Sequence, residues 1–193
     1  MLYDEHIVFK DPANQKLLVD TILTVHEEIK WWVEKYPDIS PALDFPLVFE
    51  RLTRKHFIKN WPDVFYEPED HTVDKDIPCK IQLDIDYGIE IRTRSSLKNP
   101  YAVKGQLTSN DRMKENISKA KSSFLLFISY YPFFDAKTFK KNPTSFIREV
   151  SFGYIPETAW KQDGSTKRTR LSAKDKKQFM IQLYRYKKKK EIQ

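Results

Sequence analysis

The run FLLFISYY, residues 124–131, is the sequence feature that most restricts how this chain can fold. It is almost continuously apolar, which is typical of a central strand buried on both faces. Each face of such a strand must be covered by another layer of secondary structure. The run therefore predicts a sheet with other elements packed above and below it.

Three segments have the patterns of helices. In residues 11–37, Asp11 can cap the helix, Pro12 suits its first turn and Pro37 ends it. Its apolar residues repeat at spacings of 4, 3, 4 and 3, which predicts one buried stripe: Leu18, Ile22, Val25, Ile29 and Trp32. A second helix is predicted within residues 40–62, and a third within residues 108–123, which begin with a capping-box pattern. In the second helix four residues are expected to face inward: Val48, Phe49, Leu52 and Phe57.

Further strands are predicted at residues 79–93, where the apolar period becomes two, and at residues 147–155 and 178–186. Residues 63–78 are rich in acids and turn formers and are predicted to form a loop. The order of elements predicts an α/β (α+β) fold in which a mixed central sheet is flanked by helices. We expect one domain over residues 1–193, with a helical N-terminal part at about 11–60 and a basic C-terminal part at about 161–193.

The composition excludes several classes of protein. Cys79 is the only cysteine, so internal disulfides and cysteine-based zinc clusters are ruled out, and the four histidines lack metal-ligand spacing. No apolar run approaches the roughly 20 residues of a membrane-spanning helix. The first ten residues carry acids where a signal peptide would be basic. A cytoplasmic protein with no membrane association is the expectation.

Charge is divided unevenly along the chain. Residues 1–90 contain 10 Lys and Arg against 19 Asp and Glu, whereas residues 91–193 contain 24 against 8. A balance of +16 in the second half favours a polyanionic partner, and nucleic acid is the first candidate.

The stretch LDIDYGIEIRTR, residues 83–94, concentrates charged residues in an alternating pattern. In one straight strand Asp84 and Glu90 would lie about 20 Å apart, at about 3.3 Å per residue. A hairpin closed by Asp86, Tyr87 and Gly88 would instead place Asp84 opposite Glu90 and Ile85 opposite Ile89. Two carboxylates about 5 Å apart need a cation between them, and Mg²⁺ prefers such oxygen ligands. The alternative is a straight strand with a bulge at the glycine.

The combination of Asp84, Glu90, Ile91 and Arg92 resembles the metal-binding motif of the PD-(D/E)XK nuclease superfamily. The segments YGIEIRTRSS, FLLFISYYPF and IREVSFGYIPETAW are further similar to type II restriction endonucleases, and to the ScaI-like group among them. The resemblance covers about residues 45–160. It implies a restriction-endonuclease-like core and Mg²⁺-dependent hydrolysis of a phosphodiester bond.

The resemblance also implies roles for individual residues. Asp84, Glu90 and the Ile91 carbonyl would hold the metal, and the metal would lower the pKa of an attacking water. Arg92 stands where the family has lysine; it could orient the water or stabilise charge, but its high pKa makes it a poor proton acceptor.

Several alternatives stay open for this site. Asp86 or Asp76 could be the first acid in place of Asp84, and Lys80 or Lys104 could supply the amine. Glu50 on the second helix could assist catalysis, although a solvated surface position is the commoner role for a glutamate.

Candidate DNA-binding residues follow the acidic motif and recur near the C-terminus. Their hydroxyl, amide and basic side chains suit contacts to phosphates and base edges: Arg94, Ser96, Lys98, Asn99, Lys104, Gln106, Arg112, Lys167, Arg168 and Arg170. The resemblance further implies double-stranded DNA as substrate and a homodimer, since two sites are needed to cut both strands of a palindrome. The Trp31–Trp32 pair is expected to pack or to form a subunit contact. The other functions considered are a nucleic-acid-binding module that has lost catalysis and a structure-specific nuclease.

Overall fold

The computed structural model describes residues 5–35, 41–69, 75–81, 83, 85–95, 103–107, 123–130, 147–163 and 168–186. The predicted helix within residues 108–123 lies outside these ranges. Asp84, Ser96, Lys98, Asn99, Arg112 and Lys167 lie outside them as well.

Two long helices form the N-terminal part, as predicted. Helix α1 spans Pro12–Lys35, and the Ala13 amide donates to Asp11 Oδ1 over 2.8 Å, which confirms the cap. Leu18, Ile22, Val25 and Ile29 of its apolar stripe are buried. The stripe ends there, because Trp32 is 37% exposed. Helix α2 spans Pro41–Asn60 and buries Phe49 and Phe57 fully, whereas Val48 and Leu52 are only partly buried.

The main sheet has four strands: β1 (Ile89–Ser95), β3 (Ser123–Tyr130), β4 (Ile147–Ile155) and β7 (Met180–Arg185). Their order is β1-β3-β4-β7; β1 runs parallel to β3, and the other neighbours are antiparallel. Residues 124–130 of β3 are all buried, which confirms the central strand. The sheet is mixed and the fold is α+β, as the pattern of elements predicted.

A second, three-stranded sheet was not predicted. It has the order β2-β6-β5, with β2 at Val103–Leu107, β5 at Lys161–Asp163 and β6 at Arg168–Leu171. A short 3₁₀ turn (Glu157–Ala159) precedes β5, and helix α3 (Ala173–Phe179) follows β6 with Ser172 as its cap. These strands have only three to five residues, which is too short to establish an alternating pattern.

The two faces of the main sheet bury different cores. One face packs against α1 and α2 through aromatic residues that surround His6, among them Phe9, Phe65, Phe124 and Phe152. The other face has a smaller cluster: Leu125, Phe127, Ile155, Ala159, Leu171 and Met180. Gly153 lies on that second face, where a Cβ atom would come within 2.1 Å of the Phe179 carbonyl oxygen. Only a glycine lets the end of α3 approach β4 so closely.

The predicted hairpin at Asp86, Tyr87 and Gly88 is wrong. Ile89 pairs with Ile77, not with Ile85, through an antiparallel bridge with two hydrogen bonds of 2.9 and 3.0 Å. Gly88 does not have the left-handed conformation that the hairpin requires, and its amide donates to Asp86 Oδ1 over 2.7 Å. The reason is burial: Ile77 is fully buried, whereas Leu83, which the hairpin would have turned inward, is 68% exposed. Part of the predicted loop at residues 63–78 therefore runs beside β1.

Candidate active site

The bridge between Ile77 and Ile89 brings Asp76 beside the charged face of β1. Alternation along β1 buries Ile89 and Ile91 in the aromatic core and places Glu90, Arg92 and Arg94 on the opposite face. Asp76 reaches this region across the edge of the strand, because the Ile91 amide donates to Asp76 Oδ2 over 2.6 Å.

Arg92 is the centre of the ionic contacts at this edge. Its Nη2 lies 2.9 Å from Glu90 Oε2, and its Nη1 lies 3.4 Å from Asp76 Oδ2 and 2.8 Å from the Ile91 carbonyl oxygen. We refer to Asp76, Glu90, Arg92 and the Ile91 backbone as the Arg92 cluster. The side chains of its three charged residues are 19–22% exposed, so the cluster is open to solvent on one side.

Burial and like charge perturb Asp76 strongly. Desolvation, followed by the negative charge of Glu90, raises the pKa of Asp76 to about 7, although the Arg92 guanidinium acts in the opposite direction. The pKa of Arg92 is raised by Glu90 and Asp76, against the effect of its burial. Arg92 therefore compensates the negative charge of the Asp76 carboxylate only in part.

Helix α2 contributes the nearest additional charges. Arg54 Nη1 lies 3.4 Å from the Asp76 carbonyl oxygen and 4.0 Å from Glu50 Oε1, and its Nε lies 2.9 Å from Glu67 Oε1. Burial raises the pKa of Glu50, and Arg92 is the largest charge acting against that rise. The structure thus brings Glu50 within electrostatic range of the Arg92 cluster.

The donor set of the cluster suits a hard cation. Two carboxylates and one backbone carbonyl contact one guanidinium, Asp76 and Ile91 through its Nη1 and Glu90 through its Nη2. Such oxygen ligands are those that Mg²⁺ and Ca²⁺ prefer. Within the described ranges, no group of three or more His, Cys, Asp or Glu side chains is placed to hold a metal ion. The guanidinium of Arg92 is the positive group that these oxygens surround, and this arrangement fits a cation-binding site.

The other predicted first acids and lysines lie elsewhere. Asp86 is exposed, and its side chain is engaged with the Gly88 amide. The Lys80 amine donates to the Pro62 carbonyl oxygen over 2.7 Å. Of the candidates for the first acid that the structure describes, Asp76 is the one whose side chain contacts Arg92. A sequence signal for it exists, since Asp76 immediately precedes the apolar alternation of Ile77 and Cys79.

The small sheet brings two predicted DNA-binding segments together. Lys104 of β2 is directly opposite Arg170 of β6, and Arg170 is in turn opposite Lys161 of β5. Gln106 also lies on β2, and Arg168 is paired with Leu107. One row of backbone positions across this sheet is therefore occupied by three basic residues, of which Lys161 was not singled out in the sequence.

A second ionic cluster lies on the same face of the main sheet and was missed in the sequence. Glu149 of β4 accepts hydrogen bonds from Lys176 of α3 and from Ser151, and the Lys176 amine lies 4.6 Å from the centre of the Phe127 ring. We refer to Glu149, Ser151 and Lys176 as the Glu149 cluster. The Glu149 and Lys176 side chains are 1% and 10% exposed. An acid inside the apolar strand at residues 147–155 was the available signal.

The class of protein to which this α+β fold belongs is given by comparison with known families. A family model of the ScaI restriction endonuclease matches residues 17–184. The chain therefore belongs to the ScaI restriction endonuclease family, and its substrate is DNA. No curated protein and no solved structure matches it. Among the described residues, no helix is both long and apolar enough to span a bilayer.

Proposed function

We propose that the protein cleaves double-stranded DNA at a specific sequence by Mg²⁺-dependent hydrolysis, with the Arg92 cluster as its active site. The observation that carries this proposal is that Asp76, Glu90 and the Ile91 carbonyl all contact the Arg92 guanidinium at the edge of β1. They would form the PD-(D/E)XK type of ligand set, with Asp76 in the place that the sequence assigned to Asp84.

Asp76, Glu90 and the Ile91 carbonyl would hold the metal. A divalent cation bound there would neutralise charge on the scissile phosphate and make water a better nucleophile at neutral pH. Arg92 keeps its proton at every working pH, so its role would be to hold a phosphate oxygen, through paired N–H donors.

Glu50 is proposed as a proton-handling residue. Its raised pKa brings the carboxyl closer to the working pH, which is what general acid–base catalysis requires. The competing role is structural, because Glu50 also lies 4.0 Å from Arg54.

The DNA-binding surface is proposed to combine Arg94 on β1 with the basic row on the small sheet, Lys104, Arg170 and Lys161. Lysine and arginine side chains supply the phosphate contacts that dominate the affinity for DNA. Replacing all three residues of the row by glutamine should weaken binding and make the slope of log K against log salt shallower by about 2–3. An unchanged slope would remove this surface from the interface.

A homodimer is proposed because one site cuts one strand, and two sites are needed for both strands of a palindrome. Trp31, which is 58% exposed, lines an apolar groove of about 600 Å³ between α1 and α2, together with Trp32, Val48 and Leu52. This groove is the candidate subunit contact. Trp31→Glu should shift the sedimentation of a dimer towards that of a monomer.

Digestion of a mapped plasmid with and without Mg²⁺ tests the function. We expect discrete fragments that require the cation and are abolished by a chelator. Asp76→Asn and Glu90→Gln should each reduce the cleavage rate about 100-fold or more, because each removes the negative charge of a proposed metal ligand. Asp84→Asn is the matched comparison, and it should retain cleavage if Asp76 is the first acid.

Other outcomes of the digestion would contradict the proposed site or indicate a different function. Cleavage that persists in both the Asp76 and the Glu90 variant would remove the proposed active site. Preference for branched DNA over plasmid would indicate a structure-specific nuclease. DNA binding without any cleavage would indicate a binding module, consistent with arginine at the position of the family's lysine.

A further inference from the structure

The guanidinium of Arg92 contacts the same three oxygen atoms that are proposed to bind the metal. Its two terminal nitrogens lie 2.8–3.4 Å from the Ile91 carbonyl oxygen, Glu90 Oε2 and Asp76 Oδ2. Protein oxygens bind Ca²⁺ at about 2.3–2.6 Å and Mg²⁺ at about 2.0–2.1 Å. A metal ion at those distances from the same atoms would overlap the guanidinium.

Electrostatics also forbids shared occupancy. A guanidinium and a divalent ion only a few ångströms apart repel each other strongly in a partly buried site. The Arg92 side chain is 22% exposed, so it has a route into solvent without unfolding of β1.

We propose that Arg92 is a built-in counter-cation, and that a divalent metal binds only when the guanidinium leaves the three oxygens. This inference rests on the proposed metal site and adds a competition that sets its affinity. In the free protein the site is closed to metal by its own side chain, and the guanidinium offsets part of the carboxylate charge until an ion replaces it.

Calcium titration by calorimetry, in the absence of DNA, tests the competition directly. Arg92→Gln should bind Ca²⁺ at least about tenfold more tightly than the wild type, a factor that corresponds to about 1.4 kcal/mol of competition. Arg94→Gln is the matched control, because it removes the same charge from the same strand two residues away. Its Ca²⁺ affinity should change less than about threefold, since the charge removed is not the one that contacts the three oxygens.

Thermal unfolding gives a second readout that does not depend on catalysis. Without metal, Arg92→Gln should unfold at a lower temperature than the wild type, because two carboxylates lose their partner. Saturating Ca²⁺ should raise its unfolding temperature more than that of the wild type. Arg92→Lys is the second variant to measure if Arg92→Gln is unstable. Its single ammonium cannot contact all three oxygens, so its Ca²⁺ affinity should lie between those of the wild type and Arg92→Gln.

The outcomes separate this inference from the proposed function. If the wild type cleaves plasmid with Mg²⁺ but Arg92→Gln binds Ca²⁺ no more tightly, only the inference is wrong. Equal tightening in Arg92→Gln and Arg94→Gln would also overturn it, because general charge would then explain the effect. Tighter Ca²⁺ binding in Arg92→Gln, with an inactive wild type, would keep the inference and refute the function.

Discussion

The Arg92 cluster and the Glu149 cluster lie on the same face of one sheet, yet they differ in exposure and in charge balance. Arg92 and Ser151 belong to one row across β1, β3 and β4, so the two clusters are about 10 Å apart, at about 4.8 Å per strand. The charged side chains of the Arg92 cluster are 19–22% exposed, whereas those of the Glu149 cluster are 1% and 10% exposed.

Charge balance separates the structural cluster from the proposed binding site. Glu149 and Lys176 form a neutral pair that is closed to solvent, as a buried carboxylate requires. The Arg92 cluster contains two carboxylates and one guanidinium, so it keeps an excess of negative charge beside solvent. A site that is open to solvent and carries excess negative charge can exchange one cation for another. A buried ion pair with no net charge cannot. We therefore expect substitutions in the Glu149 cluster mainly to reduce stability, and substitutions in the Arg92 cluster mainly to affect function.

The largest expected effect on stability is that of Lys176→Met. It leaves the buried Glu149 carboxylate without a counter-ion, and breaking a buried pair in this way costs about 3–5 kcal/mol. Denaturant unfolding measures the change, and Lys174→Met, at an exposed position of the same helix, is the control. A loss below about 1 kcal/mol would mean that the Glu149 cluster is not the closed site described above.

A double substitution sharpens that result. Replacing both Glu149 and Lys176 by methionine removes the uncompensated charge together with its partner. The double variant should therefore recover at least part of the stability that Lys176→Met loses.

The pH dependence of stability should distinguish Asp76 from the buried histidines. The folded pKa of Asp76, about 7, lies above its ordinary value of 3.8, so its contribution to stability is full below about pH 4 and is lost as pH rises through 7. Burial lowers the pKa of His6 to about 4, from 6.5, so its contribution is present above pH 6.5 and is lost as pH falls towards 4. The two contributions oppose each other between these values.

Asp76→Asn should therefore make stability rise more steeply from pH 4 to pH 7 than in the wild type. Urea unfolding at four or five pH values measures the slope. Asp63→Asn, which removes an exposed carboxylate outside the cluster, is the matched control. A slope that is the same for Asp76→Asn and the wild type would show that Asp76 does not titrate in this range.

Arg92→Gln should reduce stability by only about 1 kcal/mol or less, because its partners are partly solvated and screened. Unfolding in the absence of metal measures this value beside that of Lys176→Met. A loss as large as that of Lys176→Met would contradict the contrast between an open and a closed cluster.

The smallest expected effect is that of Arg92→Lys on DNA cleavage. If Arg92 serves only as the positive group at the family's lysine position, this variant should keep or raise the cleavage rate. A complete loss would mean that the two-pronged geometry of the guanidinium is needed to hold a phosphate. Timed plasmid digestion at fixed Mg²⁺ gives the ratio of rates.

Patterns of local periodicity predicted the helices α1 and α2 and the strands β3, β4 and β7. The buried residues of the helices recur at helical spacing, β3 and β4 are buried almost throughout, and the partly buried β7 is a run of strand-forming residues. The edge of β1 was predicted with the wrong partner, because the pairing of Ile77 with Ile89 joins residues across a bend that no short-range pattern encodes. Glu90 and Arg92 were identified from the alternation of residues 83–94 together with the resemblance to the nuclease motif. Three features arise only through the tertiary fold. They are the position of Asp76 beside β1, the contact of Lys176 with Glu149, and the basic row that includes Lys161.

The position of His6 has a consequence for the synthesis of this nuclease. Its Nε2 bonds to the Tyr87 carbonyl oxygen over 2.8 Å, next to the strand that carries Glu90, and its ring contacts Phe124 and Phe152. At translation rates of about 5–20 residues per second, Phe152 leaves the ribosome roughly 7–30 seconds after His6. The segment around His6 therefore cannot complete its aromatic contacts until β4 has been made. The aromatic core on the face of the sheet that packs against α1 and α2 is thus completed late in synthesis.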